Sequence, residues 1–283
     1  PPRSTPLYSS AASDVYKRQL YGKDRSLVTD EDRQFWSFQP IQKPTAMLAN
    51  NSWMRNPIDG FILRKIRQLN QRPAPEAPRR VWLRRVTYDL TGLPPTPKEL
   101  AEFEADDSRE AHARVVDRLL SSQYYGERWA THWLDGVRYV QEVGYYNFTD
   151  LGWRYRDWVI NAHNRDLPYN RFLIEQLAGD LLPNASVEQR GATGFHRNTL
   201  TNTEGGVDQE EYRIEQVIDR TNTTGLVFMG LTVGCAQCHS LKYDPISHRE
   251  YYEMFSFFNT AVDENLPAPL ENCLLYTSDA ADE

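Results

Sequence analysis

Apolar positions along the chain recur mostly with a period near 3.6 and almost nowhere with a period of two, so the pattern reads as helical. Asn56, Pro57 and Asp59 form a cap with proline at the first helical position, and Ile58, Phe61, Ile62, Ile66 and Leu69 follow at helical spacing. Val81 to Leu90 is a second amphipathic stretch, stopped by Thr91-Gly92-Leu93-Pro94-Pro95, and Thr96-Pro97-Lys98-Glu99 is a capping box opening a third. Ala111 to Leu120 places Val115, Val116, Leu119 and Leu120 on one face. The spacing predicts helices over 124–143, 153–165 and 169–179, then a short one beginning at Ser186. Gly191 to Gly206 has no period and reads as a long loop. Asp208 opens a helix to about Gly230 with Ile214, Val217, Ile218 and Thr221 inward, and Ser247 with Glu250 caps a last one ending near Phe258. The pattern predicts an all-α fold, a single multi-helix domain over 56–260 with long irregular loops. Residues 20–55, with the aromatic cluster Phe35, Trp36 and Phe38, read as a linker docking onto that domain, and 261–272 as the start of a linker to a downstream domain.

The two ends read differently. Ser9 to Gln19 (SSAASDVYKRQ) and Cys273 to Asp282 (CLLYTSDAAD) can be encoded by opposite strands of one oligonucleotide, a transposase sequencing adapter. Residues 1–19 and 273–283 are therefore expected to be adapter read-through and are excluded from fold reasoning. On this reading neither natural terminus is in the sequence, and the lack of a signal peptide says nothing about export. Cys273 goes with the adapter, leaving Cys235 and Cys238 as a pair. The formal charge of -7 argues against a nucleic-acid partner, which needs a basic stripe. The longest apolar run, Leu226 to Ala236, is too short for a transmembrane segment.

Cys235-Ala236-Gln237-Cys238-His239 is the one sharp motif. Two thiols separated by two residues reach the two vinyl groups of a haem, and the adjoining His239 can ligate the iron as proximal ligand. That pattern predicts a covalent haem c in an electron-transfer or redox domain. Three other readings stand beside it: a zinc site using both cysteines, a disulfide or redox pair, and two unmodified core cysteines. The second face of the iron has two candidates. His196, on the glycine-containing loop, is a distal ligand or else a backbone-bonded loop histidine. His132, between Trp129 and Trp133, is a ligand or else a hydrogen-bonded core histidine. Met229 and Met254 read as core filler, and His112, His163 and His248 as solvated helical residues. Asp244, in the turn after the motif, is a candidate partner for the His239 Nδ1–H, or a plain turn residue. Glu204, Asp208, Glu210 and Glu211 read as favourable charge at a helix N-terminus. A rival from another class is a non-redox surface module binding polysaccharide through Trp129, Trp133, Trp153 and Trp158, its cysteines a metal staple or disulfide.

A set of longer motifs carries a family resemblance: FWSFQPI at Phe35 to Ile41, RRVTYDLTGLPPTPKEL at Arg84 to Leu100, YGERWATHWLD at Tyr125 to Asp135, GFHRNTLTNTEGG at Gly194 to Gly206 and GLTVGCAQCH at Gly230 to His239. With NPID at Asn56, RYRDWVI at Arg154, NRDLPYNRF at Asn164 and QLAGDLLP at Gln176, the chain resembles the cytochrome-associated domain of unknown function of large exported planctomycete proteins. The resemblance implies a periplasmic, cell-surface or extracellular location. It also implies a small c-type cytochrome-like domain upstream, which with a separate redox partner is the expected electron-transfer contact. It places His132 and His196 within family motifs. The chain departs from the family where Ser240-Leu241-Lys242 follows His239 instead of Asp-His-Lys, and where His163 replaces a common phenylalanine.

Overall fold

The computed structural model describes residues 29–43, 53–140, 142–143, 147–148, 152–199, 205–241 and 244–261. The two stretches expected to be adapter read-through, Glu204, Lys242 and Tyr243 lie outside them. Eleven α-helices occur among these residues: α1 (Asp30–Arg33), α2 (Pro57–Gln68), α3 (Arg79–Thr91), α4 (Pro97–Ala105), α5 (Ala111–Leu120), α6 (Gln123–Gly136), α7 (Gly152–Asn164), α8 (Tyr169–Ala178), α9 (Val187–Ala192), α10 (Gln209–Met229) and α11 (His248–Asn259). Short 3-10 turns stand at Trp36–Phe38, Thr193–Arg197 and Val233–Gln237. Between α6 and α7, Glu142–Val143 pairs antiparallel with Asn147–Phe148, two residues on each side. The fold is all-α.

The caps sit where the residue chemistry puts them. Asn56 with Asp59, Thr96 with Glu99, Ser186 with Gln189 and Ser247 with Glu250 are all reciprocal capping boxes, and Asp208 accepts from the amides of Glu210 and Glu211. Each satisfies amides that the first helical turn leaves without a partner. Gly92 and Gly230 end α3 and α10 at φ 71° and 66°, a left-handed conformation that costs glycine nothing.

Three apolar clusters hold the helices. The first gathers Leu83, Phe103, Ala111, Val115 and Leu119 from α3 to α5. On α5 the buried set is Ala111, Val115 and Leu119, one every four residues, whereas Leu120 turns outward. The largest cluster joins α6 to α9 through Ala130, Val137, Tyr155, Trp158, Val159, Ala162, Phe172, Ala192 and Phe195. The third is small: Val233, Ala236 and Tyr251, with Leu231, Leu241 and Ile246 packed on it. Gly191 to Gly206 is more regular than its lack of period suggests, since α9 and the Thr193–Arg197 turn fill its first half. The 20–55 segment touches the domain through Arg33, which donates to Glu250 at 3.0 Å, while Phe35 and Trp36 pack on each other and stay exposed.

Candidate functional site

The Cys-Ala-Gln-Cys-His segment lies between the antiparallel pair α10 and α11. After Gly230 reverses the chain, Val233–Gln237 winds as a 3-10 turn. With three residues per turn, positions three apart eclipse. Val233 and Ala236 therefore both face the small core and are buried, while Cys235 and Cys238 both come out on one exposed edge. Neither thiol is in a disulfide. The turn sits close against α10: a Cβ on Gly225 would come within 2.6 Å of Val233, and one on Gly234 within 3.1 Å of the Asn222 amide.

His239 follows the turn. Its Nδ1 is 2.9 Å from the Ser240 carbonyl oxygen. A carbonyl only accepts, so Nδ1 carries the hydrogen and the neutral ring keeps its lone pair on Nε2. Asp244 does not fill this role. Its carbonyl accepts from the Ile246 amide at 2.8 Å, making it the turn residue that leads into α11.

Two residues of α11 clamp the segment from below. The Gln237 carbonyl accepts from His248 Nε2 at 3.1 Å and from the Tyr252 hydroxyl at 3.2 Å, and the His248 amide donates to Ser240 Oγ at 3.0 Å. His248 is exposed, as expected of a solvated helical residue, and also holds the motif through these two bonds. Beneath them Tyr251 donates to Asn222 Oδ1 at 3.2 Å. Burial pushes the Tyr251 phenol up to about 12, with Tyr252 and Cys238 adding to the effect.

The clamp depends on the start of α11. Burial would raise the Glu250 carboxyl, but hydrogen bonds from the Ser247 amide, Arg33 and the Ser247 hydroxyl outweigh it and hold the group below its ordinary value. A depressed carboxylate stabilises the fold above its unfolded pKa and loses that contribution as pH falls through the folded one. Glu250→Gln is expected to remove part of the stability loss as pH falls through and below the ordinary carboxylate range, read as a flatter pH dependence of the urea midpoint.

The other candidate ligands lie elsewhere. His196 Nε2 is 3.2 Å from the Leu177 carbonyl oxygen, and its ring packs between Phe195 and Phe258. Phe258 is ten residues along α11 from His248, about 15 Å at the helical rise, so His196 and His239 stand at opposite ends of that helix. The backbone-bonded alternative describes its setting. His132 is on the exposed side of α6 with its ring against Trp129, so it is not a core histidine. Met229, 54% exposed, is not core filler. His112 packs edge-on to Trp82 and Phe103, and His163 donates from Nδ1 to the Val159 carbonyl at 2.8 Å against Phe172, so neither is simply solvated. Asp208 serves as the cap of α10, and Glu210 pairs with Arg213. Among the described residues no three His, Cys, Asp or Glu side chains converge as a metal site.

The apolar period could not disclose one cluster. Arg138 donates twice to Asp219, at 2.7 Å each, and once to Thr223, while Thr199 Oγ1 donates to the same carboxylate at 2.8 Å. It ties the end of α6 and the segment after the Thr193–Arg197 turn to the middle of α10.

Residues 57–263 match the PSCyt2 family model, described as a protein of unknown function (DUF1549). The chain belongs to the PSCyt2 family. The PSCyt2 match begins at the first residue of α2 and runs past the end of α11, so it takes in the motif together with both helices that hold it. No curated protein and no solved structure is matched by the chain.

Proposed function

We propose that this PSCyt2 domain carries a covalently attached haem c and serves electron transfer or redox chemistry outside the cytoplasm. The observation that carries the reading is the pinned 3-10 turn: both thiols share one exposed edge, and the neighbouring imidazole has Nδ1 committed and Nε2 open. This donor set fits the group. In attachment each thiol adds across a vinyl group, the sulfur bonding one carbon and the thiol hydrogen going to the other, so no oxidant is required. Cys235 and Cys238 would hold the ring through sulfur, and His239 Nε2 would be the nitrogen available to the iron. Its Nδ1–H bond to a carbonyl orients the ring and raises its basicity. Haem so bound supplies one-electron redox chemistry at a fixed place on the surface. Covalent attachment does not require Cys235, Cys238 and His239 to converge on one point, whereas a zinc staple does.

The electron-transfer contact is a separate redox partner or the upstream cytochrome-like domain that the resemblance implies. No helix among the described residues is long and apolar enough to cross a membrane. A periplasmic or cell-surface location follows from the attachment chemistry and the resemblance. The polysaccharide reading has less to stand on. Trp158 is buried and Trp133 donates its Nε1–H to Gln176 and Tyr155, so the tryptophans do not form an exposed stacking row.

Expression of the chain in a periplasm equipped for haem attachment tests the proposal. The expected product stains for haem on a denaturing gel and gains the mass of one haem. Colourless protein of unmodified mass overturns it.

A further inference from the structure

Helix α2 turns its apolar stripe away from the protein. Ile58 is 67% exposed, Phe61 44%, Ile62 46% and Leu69 58%, while Leu63, from the other side, is buried. At 3.6 residues per turn, Ile58, Phe61, Ile62, Lys65 and Leu69 fall within an arc of about 100°. Lys65 is exposed near the middle of that arc, and Arg64 borders it. From Pro57 to Arg72 the basic residues are Arg64, Lys65, Arg67 and Arg72, against the single acid Asp59, in a chain whose formal charge is -7; Arg55, before the helix, pairs with Glu76. Trp53, 37% exposed, stands just before the helix.

Lys65 decides between the surfaces that could cover this face. The centre of a packed protein interface is depleted of lysine, because burying the ammonium costs more than it returns. At a bilayer the four-carbon stem lies along apolar surface while the ammonium reaches the headgroup phosphates, and flanking arginines add attraction to anionic lipid. A partly exposed tryptophan just ahead of such a helix suits the same interface. With twelve residues, α2 spans about 18 Å, too short to cross the hydrocarbon core but long enough to lie along it.

We propose that α2 is an interfacial helix that seats this domain on an anionic lipid bilayer, with Ile58, Phe61, Ile62 and Leu69 among the acyl chains. The proposal is independent of the haem reading. It is tested by co-sedimentation of the full chain with vesicles of three parts phosphatidylcholine to one part phosphatidylglycerol, and with phosphatidylcholine alone. Binding is expected to the mixed vesicles, weaker to the neutral ones and weakened by salt. Phe61→Ser with Ile62→Ser is expected to abolish it, and Arg64→Gln with Lys65→Gln to reduce affinity about thirtyfold. All four side chains are exposed, so circular dichroism melts of both variants should match the parent. Binding to neither vesicle, binding unaffected by both pairs of substitutions, or a concentration-dependent dimer removed by Phe61→Ser with Ile62→Ser would each overturn the proposal, the last by giving the face to a second copy of the chain.

Discussion

Matured under haem-attaching conditions, the Cys235→Ser, Cys238→Ser double variant is expected to run colourless on a denaturing gel at the mass of the polypeptide, with its helical circular dichroism intact. Both thiols are exposed and neither belongs to the small core, so serine removes the reactive sulfur without opening a cavity. Each single variant keeps one thiol on the edge and is expected to retain haem through one thioether, with a pyridine haemochrome band shifted from that of the parent. His239→Ala should keep both sulfur bonds and lose the axial nitrogen, which separates attachment from ligation in one spectrum. If the double variant instead melted far below the parent, the cysteines would be structural and the haem reading would lose its main support. The clamp gives a second check. Removing the Tyr252 hydroxyl leaves His248 still bonded to Gln237, so Tyr252→Phe should cost only about 1 kcal/mol and leave attachment unchanged.

What the sequence disclosed follows from which forces are local. The boxes at Asn56, Thr96, Ser186 and Ser247 depend on residues three apart, and the helices begin where those residues predict. The end of α6 was less legible. Apolar spacing carried it to 143, but the helix stops at Gly136, and Arg138 takes a positive φ of 59° while pairing with Asp219, eighty-one residues away. Facing is also non-local. The stripe on α2 has the same period as a core face, and only the surroundings show that it points outward. At the motif, Cys-x-x-Cys-His was plain from spacing, whereas the residues that hold it were not. His248 and Tyr252 share a helix face four residues apart, yet nothing near them in sequence indicates that the Gln237 carbonyl is their common acceptor. Neighbouring glycines and tryptophans single out His196 and His132 but say little about their distance to His239.

Gln176→Leu is expected to destabilise the domain by about 2 to 4 kcal/mol, through one hydroxyl more than through packing. Gln176 is wholly buried; its Oε1 accepts from the Tyr155 hydroxyl at 2.7 Å and from Trp133 Nε1 at 2.8 Å, and its Nε2 donates to the Phe172 carbonyl at 3.0 Å. Leucine has nearly the same volume, so little space opens. Trp133 Nε1 still has the Tyr155 oxygen at 3.1 Å, but the Tyr155 hydroxyl loses its acceptor in surroundings that already push its ionisation well above the ordinary phenol value by burial. The double variant Gln176→Leu, Tyr155→Phe removes the orphaned hydroxyl but takes the last acceptor from Trp133 Nε1, leaving one unpaired donor in place of another. It should therefore recover only the Tyr155–Gln176 bond that both single losses count, about 1 kcal/mol relative to their sum, measured by urea unfolding. Strict additivity would instead assign the cost to the aromatic packing of Trp133 and Trp158 on Phe172. Phe228, in the last turn of α10, also packs on Trp133 at 5.5 Å, so a loosened core would reach the helix that carries the thiol turn. Gln176→Leu should then lower the yield of attached haem in proportion to the unfolded fraction, and lowering the temperature of expression should restore it, because none of these groups touches the motif itself.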